Sequence, residues 1–115
     1  MNKAYDSFRY ADRLKSNLFF VMEAVDELSK LQGVELEGGR KIVRRGFERF
    51  RNELQISMKY LPEEELNWIG KKILEAEGNA MLCNYKATNS NLAEAMSKIT
   101  TLANRYTSAL KDKPI

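Results

Sequence analysis

The sequence predicts an all-α protein, an antiparallel four-helix bundle-like unit with long first and third helices. Three observations predict it. Four stretches carry apolar side chains at alternating spacings of three and four, the period of one helix face. The breaks between them are short, so consecutive helices return antiparallel. With 43% hydrophobic and 30% charged residues but only two prolines and six glycines, the 115-residue chain leans to helix and suffices for one core, not two.

Residues 1–115 therefore read as a single helical domain with helices at about 4–32, 40–61, 63–86 and 91–110. In the first, Leu14, Leu18, Val21, Val25 and Leu28 share a face, with Gly33 as the residue that stops the helix. The glycines of VELEGG, residues 34–39, read as a loop. The second helix sets Val43, Phe47, Phe50, Leu54 and Leu61 in one narrow sector. Leu61-Pro62 followed by three glutamates closes it and opens the third, because proline and acids suit a helix start. Leu66, Ile69, Ile73, Ala76, Ala80, Cys83 and Ala87 then keep one stripe through Gly78, which predicts a continuous third helix to about Lys86. Residues 88–91 read as a polar turn, with Asn91 and Glu94 spaced as a capping box for the fourth helix. The tail after Leu110 is expected to fray.

The first three helices carry a second apolar or aromatic stripe and the fourth does not. Phe19, Ile42, Ile56, Tyr60, Leu74, Met81 and Tyr85 are accordingly the candidates for an oligomer interface, with a second copy as partner. A homodimer is the expected assembly.

Function is constrained mainly by exclusion. The chain has no histidine, which removes imidazole acid–base chemistry, histidine-based triads and imidazole metal sites. Its one cysteine, Cys83, falls on the core stripe and reads as a small buried hydrophobe. One cysteine allows no internal disulfide, the N-terminal stretch has no apolar signal-like region, and no apolar run approaches a membrane span, so a soluble cytoplasmic protein without membrane association is expected. No glycine-rich phosphate loop occurs.

Charge is uneven. The net charge is +3, yet residues 34–61 hold seven bases and four acids, and Arg40, Lys41, Arg44, Arg45, Arg49 and Arg51 crowd one stretch of the second helix. Arg40, Arg44 and Arg51 flank its core stripe, whereas Arg45 and Arg49 stand among Ile42, Ile56 and Tyr60. Such a cluster calls for an acidic neighbour or an anionic ligand. Asp12, Glu23 and Asp26 on a second face of the first helix are the expected neighbours for Arg44 and Arg51. Non-specific nucleic-acid binding is the competing use, disfavoured by the isoleucines that share the surface and by the acidic opening of the third helix.

Glu23, Asp26 and Glu27 have the spacing of a helical carboxylate site able to hold Mg²⁺. The stretch VMEAVDELSKL resembles the first metal-binding helix of the all-α NTP pyrophosphatases of the MazG-like kind. That resemblance implies a helical, often dimeric, Mg²⁺-dependent nucleotide pyrophosphatase. A second Glu-x-x-Asp pair, required by that family, is missing: Ile56 stands where an acid should follow Glu53. A homo-oligomeric interaction or structural module is therefore the expected function, without a cofactor. A pyrophosphatase-like protein with a degenerate metal site and a non-specific nucleic-acid binder are the alternatives.

Overall fold

A computed structural model of the chain describes residues 3–111. It contains α1 (Lys3–Leu28), α2 (Gly33–Ser57), α3 (Glu63–Met81) and α4 (Tyr85–Lys111), with no strand among the described residues. The helices pack in a ring, α1 between α2 and α4 and α3 between α4 and α2, and the α2–α3 seam is the thinnest. The expected stripes form the core. Leu14, Leu18 and Val25, Phe47 and Phe50, Ile69 and Ile73, and Leu92, Ile99 and Leu102 are all closed off from solvent. No described helix is long and apolar enough to cross a membrane. The tail expected to fray lies almost wholly outside the described residues.

The helix ends differ from the sequence reading. α1 stops at Leu28, and the chain tightens through Lys30 N–H to Glu27 C=O and Leu31 N–H to Leu28 C=O, both at 3.1 Å. Gly33 is the first residue of α2, at φ +61°, a left-handed conformation that glycine adopts without strain. VELEGG is helix and not loop. Glycines inside a helix cost roughly 1 kcal/mol each against alanine, but Gly39 sits where the end of α1 comes closest. A Cβ there would lie 2.7 Å from Leu31 Cδ1 and 3.0 Å from Leu28 Cδ1. At its other end α2 stops at Ser57, four residues short of the expected Leu61. The residue before a proline is driven out of helical geometry, and the intervening turn tucks Leu61 into the core at 5% exposure.

The larger correction concerns α3, which passes through Gly78 but ends at Met81 instead of continuing to Lys86. Cys83 adopts φ 60°, Cys83 N–H bonds Ala80 C=O at 3.1 Å, and Asn84 N–H bonds Asn79 C=O at 2.8 Å. Those two bonds with a left-handed residue between them make a Schellman stop, with cysteine where glycine is usual. α4 then starts at Tyr85, six residues before the expected Asn91. The residues read as a polar turn, 88–91, lie within its first two turns. Thr88, buried, donates its hydroxyl to Asn84 C=O at 2.9 Å, satisfying itself within the helix. Asn91 caps nothing and faces α3, and Glu94 reaches Lys72 of α3 at 2.9 Å.

A left-handed non-glycine residue costs about 1–2 kcal/mol. Cys83→Gly is therefore expected to raise stability by about 1 kcal/mol, read as a higher urea midpoint at mildly acidic pH, where the thiol is neutral. A lower midpoint would mean that the contacts of the sulfur outweigh the backbone strain.

Candidate functional site

Two surface regions combine concavity with side chains of uncommon exposure. The first runs between α1 and α2. Asn17, Phe20, Val21 and Ala24 of α1 face Ile42, Gly46, Arg49 and Phe50 of α2 across a groove of about 430 Å³. A second hollow continues it past Ala24 and Ile42 to Glu27, Leu31 and Gly39. The floor is low because Ala24, Gly39 and Gly46 supply almost no side chain, and a Cβ on Gly46 would meet nothing within 4 Å. Phe20 is 70% exposed and Ile42 66% exposed beside it. Below the groove Arg13 Nε meets Glu53 Oε2 at 2.8 Å, the ion pair that joins these two helices.

The second region lies where α2 meets the end of α3. Glu37, Arg40, Lys41, Arg44 and Met81 line a concavity of about 250 Å³. Arg40 donates from Nη2 to Cys83 Sγ at 3.2 Å, and its Nη1 stands 3.7 Å from Glu37, while Nε is buried without an acceptor among the described residues. The Tyr85 hydroxyl and the Arg40 guanidinium hold the Cys83 thiol below its ordinary range, and burial beside that thiol pushes the Tyr85 phenol up. Cys83 is thus half-buried and electrostatically engaged, not the inert core residue its stripe position suggested.

The basic cluster of the sequence is divided by the helix. Arg51 pairs with Glu77 of α3, and not with Asp12, Glu23 or Asp26. The reason is the side of α1 that meets α2. Its α2-facing flank is Arg13, Asn17, Phe20 and Ala24, and Asp12, Glu23 and Asp26 are exposed on the outer side of the helix, away from the core. Arg44 and Lys41 remain exposed at the second concavity, Arg49 lines the first, and Arg45 is exposed between them. No ion pair forms on these four among the described residues.

Of the interface candidates, Phe19, Ile42, Ile56 and Leu74 are exposed, at 49%, 66%, 45% and 63%. Tyr60 lies in the turn after α2, half-buried and stacked on Tyr10 with ring centroids 4.2 Å apart. Met81 and Tyr85 are half-buried against the core. Phe20, absent from those candidates, is the most exposed of the phenylalanines; its aromatic neighbour Phe19 does not line the groove. Trp68 on the α3–α4 face is covered by Lys72 and Lys98, whose ammonium groups lie 5.4 and 5.0 Å from the ring centroid.

Glu23, Asp26 and Glu27 are exposed on α1, and the last two share Lys30 at 3.4 Å. Among the described residues no three Asp, Glu or Cys side chains gather closely enough to hold a metal ion.

Comparison of the chain with protein families, with curated proteins and with solved structures gives no match.

Proposed function

We propose that this chain is a self-associating interaction module whose docking face is the α1–α2 groove and whose occupant there is a second copy. One observation carries the reading: the same face bears a projection, Phe20 and Ile42, and a hollow floored by Ala24 and Gly46. A face with both can be its own complement across a two-fold axis. Charge supports that occupant. Ala24 and Ile42 stand at mid-groove, where the two hollows meet, with Arg49 toward one end and Glu27 toward the other. A dyad at the middle exchanges the ends, setting Glu27 of each copy toward Arg49 of the other. Exposed aromatic and branched side chains beside a groove are also where association energy concentrates.

Sedimentation velocity at micromolar concentration tests the proposal. The expected result is a dimer for the native chain and a monomer for Phe20→Glu and for Ile42→Glu, each weakening association by about tenfold or more with an unchanged helical circular dichroism spectrum. A native chain that sediments as a monomer overturns it.

A further inference from the structure

We infer that the concavity between α2 and the end of α3 is a binding site for a compact, multiply charged phosphate anion, held by Arg40, Lys41 and Arg44. Three cations converge on one hollow of about 250 Å³ against a single acid, Glu37, which is itself 73% exposed. Cations on a helix ordinarily find carboxylates at neighbouring turns; here Lys41 and Arg44 make no ion pair among the described residues. Arg40 is under-used as a donor. A guanidinium offers five N–H groups in a planar fork matched to oxyanions, and Arg40 commits one nitrogen to a thiol, a weak acceptor, and holds a second 3.7 Å from Glu37, while its Nε has no acceptor among the described residues.

The Cys83 thiol beside the site is held below its ordinary range first by the Tyr85 hydroxyl and then by the Arg40 guanidinium, so Arg40 is the member of the site that touches it. Met81 supplies an apolar wall and Glu37 closes one side, so the site suits a small anion. A nucleic-acid backbone needs a continuous basic track. Beyond Arg45 the charge passes into apolar surroundings, since Arg49 lines the α1–α2 groove among Phe20, Val21 and Ile42.

Pyrophosphate titrated calorimetrically into the full chain at low ionic strength is the test. One saturable site is expected, weakened about tenfold or more by the double substitution Lys41→Ala, Arg44→Ala and little changed by Arg45→Ala, Lys71→Ala. Both pairs are exposed, and equal melting temperatures confirm that the variants fold. A second readout follows from Arg40. An anion that takes its N–H groups withdraws the donor from Cys83, so alkylation of that thiol by iodoacetamide near neutral pH should slow in pyrophosphate. Absence of saturable binding at about 1 mM pyrophosphate, equal losses in the two double variants, or tighter binding of a mixed-sequence single strand than of pyrophosphate would each overturn the inference.

Discussion

Replacing Phe47 with alanine is expected to remove about 3–5 kcal/mol of stability, most or all of what a domain of this size possesses. Phe47 is fully closed from solvent at the middle of α2, and with Phe50 it is the largest side chain so enclosed. α2 contributes only Val43, Phe47, Phe50 and Leu54 as buried apolar residues, and its seam with α3 is thin. Urea unfolding followed by circular dichroism checks the prediction. A loss below about 1.5 kcal/mol would show that the helices collapse onto the vacated volume.

Asn91→Asp should be the most damaging isosteric change in the molecule. Asn91, 9% exposed, accepts from Asn79 Nδ2 at 2.9 Å and donates to Glu75 Oε2 at 3.1 Å. Aspartate keeps the first bond and turns the second into two carboxylates in contact, at a cost of about 2–3 kcal/mol near neutral pH. One member of such a pair has its pKa raised in the folded state, so the penalty is present above that value and is relieved as pH falls through it. The gap in urea midpoint between native and variant chains is therefore expected to narrow from about pH 8 to about pH 5. A gap independent of pH would place Glu75 away from residue 91 in solution.

The core stripes were legible because burial imposes the helical period directly: Val43, Phe47, Phe50 and Leu54 are buried as their spacing requires. The turns were less so. Gly38 and Gly39 look like a break, yet Gly39 answers a close approach by α1 that no local pattern encodes. At the third turn the apolar spacing of Ala76, Ala80, Cys83 and Ala87 runs through a reversal, since α3 and α4 each supply part of it and Cys83 takes a backbone conformation usually left to glycine. Thr88 and Asn91 continue the buried face of α4 backwards from Leu92, but polar side chains conceal that continuity until their partners are known.

The candidate surfaces divide in the same way. Exposure of Ile42, Ile56 and Leu74 follows from their place opposite the core stripes. Arg40 against Cys83, 43 positions apart, and Arg51 against Glu77 have no signature in spacing, because both depend on how two helices are set side by side. Phe20 has to be told from Phe19 by the flank of α1 that meets α2, which only the packing decides.

α4 is the helix against which both α1 and α3 pack most extensively, and it is the last of the four in the chain. During synthesis the first three helices consequently emerge with their richest contact surface missing, and what they can form alone is the α1–α2 hairpin and the thin α2–α3 seam. Native assembly waits for a segment that must return to the very first helix, closing a loop of about half the chain or more, the long-range kind of contact that slows folding relative to local pairing. Until it arrives, the apolar faces of α1 and α3 are open to water, and the nascent chain at that stage is the form most exposed to capture by a chaperone or by another copy of itself.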